Sequence, residues 1–535
     1  MKKRKILMSV FLVILCLTFS ACSKEPEGPE DQLIYYNIDS EPITLDPQIA
    51  NDAGAKLVIM NIFEGLVRLD QDNSVKPGAA ESWEISTDKM MYTFKLRKNL
   101  KWNDGSDMKA EDFVYGIKRT LMPQTSSPTA STLYCIKNAE KINTGNGDID
   151  TLGVFIRNND TIIFQLEYPD SDFLSLLASA NAMPCNKDFF DKTAGQYGRE
   201  GDKILCNGAF FIRENGWAHD EYIYLRKNSE YKGAEKPVPL GVNITIGKQY
   251  DDVCRAIKNG DIDCGSITGA DTDKAEKYGF HLTSFGDTVW GISFNTNDEV
   301  LKNTNIRCAL VSSLDRKKLL SSLPENCIIT QNIIPDSARI ENKSYRSLAG
   351  NVSPEFKKNS SQFLSDGIKE TGISFVTNIT ILCTDDEKTQ TYVNNIIETW
   401  NNLTGGYFNK KPVPLSELKD RLESGDYEAV IAPLTIQGNT PLSTLELFES
   451  GGKNSISFLS SPEYDKIIRE VRKNITVGEI QNMKAAENYL LSNGVFYPLY
   501  IENRYYASAA NVKNIIFHPF GAEADFFYAA KQPEE

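Results

Sequence analysis

Short apolar runs and runs alternating at period two mark the predicted strands. They fall at Leu33 to Tyr36, Tyr92 to Leu96, Thr161 to Glu167, twice within 208–226, at Val242 to Ile246 and at Trp290 to Phe294. Helical spacing marks a second set of segments. Val58, Ile59, Ile62 and Phe63 share one face, as do Phe113, Ile117 and Leu121 in a helix expected over Ala110 to Leu121. Further helices are predicted at Phe173 to Leu177 and Asp252 to Lys258. Others follow around Ile306, Ala309, Leu310 and Leu314, and around Val393, Ile396, Ile397 and Trp400. Ser461 before Pro462 is a good helix start, with Ile467, Ile468 and Val471 facing inward. Lys109 is a poor cap for its helix, so Ser106 or Asp107 is expected to help. Strands and helices intermix throughout, which predicts an α/β or α+β chain with several sheets.

The first residues break this pattern. Lys2, Lys3, Arg4 and Lys5 precede an almost wholly apolar stretch from Ile6 to Phe19. That stretch is shorter than the roughly 20 residues a bilayer span requires, so it reads as a secretory signal. Phe19-Ser20-Ala21-Cys22 resembles a bacterial lipoprotein signal, which implies cleavage before Cys22 and its lipidation; Phe19 departs from the small aliphatic residue usual there. A thioether lipid plus an acyl chain would give stable anchoring. The Pro/Gly/Glu-rich stretch that follows, residues 22–31, reads as a flexible tether.

Composition narrows the function. The 535 residues carry a net charge of −14, and loss of residues 1–21 removes four basic residues and no acidic one, giving −18. No nucleic-acid partner is expected from that balance. His219, His281 and His518 are the only histidines and lie far apart, so no metal centre or cofactor is expected. Eight cysteines follow Cys22 without a Cys-x-x-Cys, and either disulfides or buried free thiols fit them. Gly260 to Gly265 has phosphate-loop spacing without the lysine and reads as a turn. No nucleophile–base signature is present, and the chain is read as a non-enzyme. The aromatics from Phe496 to Tyr528 are read as sheet core, with an apolar ligand cleft as the alternative.

One series of motifs is specific. Phe63-Glu-Gly-Leu-Val-Arg-Leu-Asp is followed by Pro77-Gly-Ala-Ala-Glu-Ser-Trp-Glu-Ile-Ser, then by Tyr92-Thr-Phe-Lys-Leu-Arg-Lys-Asn-Leu-Lys-Trp-Asn-Asp-Gly-Ser and Ala110-Glu-Asp-Phe-Val-Tyr-Gly-Ile-Lys-Arg. Asn207-Gly-Ala-Phe-Phe-Ile, Ser293-Phe-Asn-Thr, Ser461-Pro-Glu-Tyr-Asp-Lys-Ile-Ile and Tyr497-Pro-Leu-Tyr continue it. In this order the motifs resemble the extracytoplasmic oligopeptide-binding proteins of ABC importers, solute-binding family 5, over about residues 32–530.

The resemblance implies a two-lobed periplasmic-binding-protein clamshell of the class II, cluster C type, with an extra small domain. It implies lobe I from 32–76, 187–285 and 493–530, an inserted domain at 77–186, and lobe II at 286–492. It implies a monomer that engulfs an oligopeptide by backbone pairing and docks on permease subunits. The family carries an aspartate that pairs with the peptide amine, and the corresponding run here is Gln437-Gly438-Asn439-Thr440-Pro441, with Gln437 at the aspartate position. Three readings stay open: Glu502, beside Tyr500, takes the amine; the ligand is N-blocked or not a peptide; or backbone pairing suffices. By the same correspondence Ala53 and Gly54 approach the ligand backbone, and the segment Thr129 to Tyr134 covers it. A peptide-sensing surface receptor is the alternative to import.

Overall fold

The computed structural model describes residues 32–70, 74–170, 172–247, 250, 252–320, 327–340, 343–434, 438, 440–451, 455–473, 475–518 and 524–532. The tether, Cys22, Gln437 and Asn439 lie outside the described residues.

Three large sheets organise the chain. In the first, Leu33–Ile38 lies parallel to Gly241–Ile246, followed antiparallel by Tyr222–Lys227 and Phe210–Ala218. The second is antiparallel in the order Ala80–Ile85, Met91–Leu96, Thr161–Gln165, Val154–Asn158. Its alternation is the one expected: Tyr92, Phe94 and Leu96 are buried while the residues between them are not. The third sheet runs Cys264–Ile267, Phe496–Ser508, His281–Phe294, Ala429–Leu434, Ile379–Thr384, Phe408–Val413, and Cys327–Ile329 also pairs with Phe496–Ser508. Helices cover these sheets, giving the mixed α/β, two-lobed architecture.

Two strands cross between the lobes. His281–Phe294 and Phe496–Ser508 are 14 and 13 residues long and pair antiparallel from His281↔Ser508 to Ser293↔Phe496. At one end Tyr506 packs in the core that gathers residues from 34 to 264 and 506 to 529. At the other, Phe496, Ile501, Tyr497 and Tyr500 pack in the two cores of the second lobe. The expected limits at 285/286 and 492/493 therefore lie in or beside these strands, and the first half of Phe496–Ser508 packs with the second lobe. The strand Trp290 to Phe294 read from sequence is the apolar end of the longer one. Its polar half has no strand signature of its own and is held by pairing with Phe496–Ser508.

The second sheet and the first share one continuous core. Helix Ala110–Leu121 joins them with Phe113, Ile117 and Leu121 buried, as its spacing predicts. Its start differs from expectation. Neither Ser106 nor Asp107 caps it; Asp112 turns back and accepts the Lys109 amide at 2.8 Å and the Trp102 indole N–H at 3.3 Å. Burial pushes this carboxyl up to about 6. The eight body cysteines are free thiols, seven of them buried, the second of the two readings left open by sequence.

Candidate functional site

Helix Ala53–Ile62 forms one wall of a cavity of about 180 Å³. Asp52 starts the helix by accepting the Ala55 amide at 2.7 Å, and the apolar face Leu57, Val58, Ile59 and Ile62 fixes it on the first lobe. Its end is placed by Gly208, whose amide donates to Ile62 O at 2.7 Å. A Cβ at Gly208 would stand 2.5 to 2.6 Å from the Ile62 carbonyl and the Phe63 nitrogen, so this approach requires glycine. Lys56, Met60 and Asn61 then face the cavity. The segment 63–69 supplies Phe63, Glu64, Arg68 and Leu69, and the segment 172–183 supplies Asp172, Leu176, Asn181 and Met183. Gly438 alone, among the described residues, lines it from the second lobe.

Most polar groups on these walls are already engaged within the protein. Asn61 donates to Leu57 O and Ala524 O and accepts the Phe526 amide. Asn181 donates to Thr129 O at 3.0 Å and to Thr132 Oγ1 at 2.9 Å. Glu64 accepts the Tyr231 hydroxyl at 2.5 Å; burial raises its carboxyl, with that hydrogen bond and Arg68 opposing. Arg68 pairs with Asp525 at 2.9 Å and lies over the Phe527 ring at 4.2 Å. These bonds make the walls rigid and leave their apolar atoms facing the space.

The lobes meet at Asp172. Thr440 and Ser443, from the second lobe, both donate to its Oδ2, at 2.5 and 3.1 Å. Asp170 is buried beside it and accepts the Asp172 amide at 2.8 Å. On the facing helix, Arg472 is taken up by Glu449 at 2.6 Å and lies over the Tyr168 ring at 5.2 Å, with Glu446 at 3.7 Å. Burial first, and then the neighbouring Asp170, push the Asp172 carboxyl up to about 7, against the two hydroxyl donors. The native protein therefore holds this proton more tightly than the unfolded chain does. As pH rises from the ordinary carboxyl value of 3.8 through about 7, this site subtracts stability. In the ligand-free protein, Asp172→Asn should be more stable relative to wild type at pH 8 than at pH 5. Urea midpoints at the two values test this; a pH-independent difference would refute the assigned shift.

A cavity of this size is below the range of roughly 300–1,000 Å³ usual for ligand pockets. Asp172, bridged to Thr440 and Ser443, holds the two lobes in contact beside it.

Of the residues singled out from sequence, Gly438 lines the cavity. Ala53 is exposed and Gly54 partly exposed in the first turn of the wall helix, where a Cβ on Gly54 would meet Ile38 at 3.3 Å; neither reaches the cavity lining. Tyr134 follows the segment carrying Thr129 and Thr132, which do line it, and donates instead to Asn143 at 2.8 Å. Tyr500 is buried in the second lobe and stacks on Trp290 at 6.1 Å. Glu502 accepts the Trp290 indole N–H at 2.6 Å, with its side chain at the surface of the crossing strands. The structure does not bring these two together with Gly438 at the cavity. Sequence reading passed over Asp172, Glu64, Arg68 and Asn181. An acid before a short apolar helix reads as a cap, yet Asp172 stands at the N-cap of Phe173–Leu176 without a capping bond. That failure to cap is visible only in three dimensions. Of the late aromatics, Phe527 lines the cavity, and Phe496, Tyr497, Tyr500, Tyr506, Phe517 and Phe526 are core.

Residues 74–455 match the family model described as bacterial extracellular solute-binding proteins, family 5 Middle. The chain is 28% identical over 546 aligned residues to the oligopeptide-binding protein OppA of Bacillus subtilis (strain 168), covering 96% of this chain and 97% of that one. It is 35% identical over 242 residues to the probable deoxycholate-binding periplasmic protein YgiS of Escherichia coli (strain K12), 44% of each chain. Among solved structures, the substrate-binding domain of an oligopeptide ABC transporter from Bacillus anthracis aligns with a TM-score of 0.73 at 27% identity, covering 94% of this chain and 99% of that one.

Proposed function

Because the chain belongs to the bacterial extracellular solute-binding proteins of family 5, and is a binding protein rather than an enzyme, we propose that it captures oligopeptides between its lobes and hands them to an ABC permease. The observation that carries this reading is the cavity closed by contact of the two lobes at Asp172, on a fold aligned end to end with an oligopeptide transporter's binding domain. The strand Val67–Leu69 lines that cavity and, among the described residues, is paired on one side only, by Val75–Pro77. Its other edge is available for main-chain pairing, which accepts many sequences because every peptide offers the same groups. Closure follows from tighter binding to the closed than to the open arrangement, with the crossing strands as the flexing element. The signal-like amino terminus supports anchoring through lipid on Cys22, and the protein acts as a monomer against its permease.

The likeness to YgiS, together with Met60, Leu69, Leu176, Met183 and Phe210 on the walls, favours one second reading, an apolar non-peptide solute. Native mass spectrometry of residues 23–535, purified without denaturation, separates the two. Bound peptides of mixed sequence and narrow length are expected. A single non-peptide mass would overturn the peptide reading.

A further inference from the structure

Asp172 is a buried carboxylate with an unfilled side. It keeps 9% of its surface, and it lines the cavity. Thr440 and Ser443 both donate to Oδ2; among the described residues nothing donates to Oδ1, and no lysine, arginine or histidine lies within ion-pair distance of either oxygen. The charged groups around it do not compensate it. Asp170 and Glu446 are of the same sign, and Arg472 is committed to Glu449 and Glu446. Nor does it serve its own helix, which it fails to cap. A buried carboxylate without a counter-ion costs stability, and the fold draws no evident structural gain from the charge, since an asparagine would take the same two hydroxyl bonds. Of the other ionic groups on the walls, Arg68 has Asp525, Glu64 has the Tyr231 hydroxyl, and Lys56 donates to Asn51 Oδ1 at 3.1 Å. Among the described residues the carboxylate on these walls without a cationic or phenolic partner is Asp172, beside Gly438. A Cβ on Gly438 would stand 2.6 Å from Ser443 Oγ and 3.7 Å from Asp172 Oδ2, so the bare glycine leaves Ser443 room to reach that oxygen.

We propose that Asp172, on the first lobe, is the anchor for a protonated amine of the ligand, and that the site selects ligands carrying one. The assignment rests on the peptide-binding reading and names its chemistry. The amine is either the α-amine of a peptide or a lysine side chain, and both offer the same ammonium. Seated at Oδ1, the ammonium supplies the missing counter-charge while Thr440 and Ser443 close on Oδ2. Ligand charge and lobe closure are thereby joined at one residue. Binding then requires the ionised carboxylate, so affinity should weaken as pH falls from 8 to 5 and the free protein takes up the proton.

The test uses residues 23–535, without the signal and Cys22, and mixed-sequence tri- to hexapeptide pools in three forms: free amine without lysine, N-acetylated without lysine, and N-acetylated with one lysine. Occupancy is read by native mass spectrometry and affinity by calorimetry on the retained peptides. Acetylation of lysine-free peptides should weaken binding by roughly tenfold or more, and Asp172→Asn should abolish that difference. Retention of the acetylated lysine pool would assign the side-chain amine, and its loss the α-amine; either supports the anchor. Equal binding of all three pools to wild type overturns the anchor while leaving peptide capture intact. A preference for free amines that survives in Asp172→Asn overturns it as well. Binding of no pool overturns the peptide reading and the anchor with it. Where Asp172→Asn folds poorly, Asp172→Ser carries the same test, and a preference for free amines that survives in it overturns the anchor.

Discussion

Replacing Asp46 with alanine should cost about 3–5 kcal/mol of stability, the range expected when one partner of a buried ion pair is removed. Both side chains of the pair are almost sealed, at 4% exposure for Asp46 and 6% for Arg119. The contact is bidentate: Arg119 donates to Oδ2 at 2.7 Å and to Oδ1 at 3.1 Å, and a third bond goes to Gln48 at 2.6 Å. The guanidinium also lies over the Phe190 ring at 3.9 Å. Without Asp46 a buried cation is left with one neutral acceptor and a thiol, Cys185 at 3.5 Å. The location gives the loss a functional edge. The Asp46 loop leads into Ala50 and the wall helix of the cavity, whereas Arg119 belongs to the helix that joins the second sheet to the first lobe. Urea unfolding measures the cost, and a loss below about 1 kcal/mol would mean that the pair is solvated. Asp46→Leu combined with Arg119→Met should recover most of the stability, because apolar replacement of both partners removes the desolvation penalty along with the attraction.

Glu487→Ala is the second large effect, again about 3–5 kcal/mol, and it falls on the second lobe. Glu487 is fully buried on the helix Ile480–Ser492. Its Oε1 accepts the Ile333 and Ile334 amides at 2.9 and 3.2 Å and the Arg346 guanidinium at 2.8 Å, while Oε2 accepts the Tyr345 hydroxyl at 3.4 Å. One carboxylate thus fixes the turn at 333–334 and the helix Tyr345–Ala349 onto the lobe's core. Alanine leaves two buried amides and a cation without it. Glu487→Gln keeps acceptor capacity and loses only the charge, so its cost should be clearly smaller. Hydrogen exchange at Ile333, Ile334 and Tyr345 should rise in the alanine variant well before exchange in Ile379–Thr384. Unchanged protection at those amides would show that the loop is held by its apolar contacts instead.

Elements with a strong local period were legible from the residues. Ala110–Leu121, Ala53–Ile62, Pro462–Lys473 and the strand Met91–Leu96 follow from apolar spacing, because one face must be buried whatever the neighbours are. Caps were less legible. Ser461 does cap, accepting the Tyr464 amide at 3.2 Å, but the Lys109 start is satisfied by Asp112 from inside the helix. The polar half of His281–Phe294 escaped notice because a strand held by its partner needs no pattern of its own. Family membership was legible too, since its motifs stand as continuous segments in a fixed order along the chain.

The sequence by itself determined the intermixed strands and helices, the acidic charge balance and the membership of a solute-binding family. These depend on local spacing and composition, which chain folding does not alter. Tertiary structure alone decided which residues share the cavity. Asp172 and Thr440 are 268 positions apart, and Arg68 and Asp525 are 457 apart. No local pattern records such pairings, because the signal at each residue is consistent with a plain cap or a surface charge until the second lobe and the carboxyl-terminal segment are packed against it.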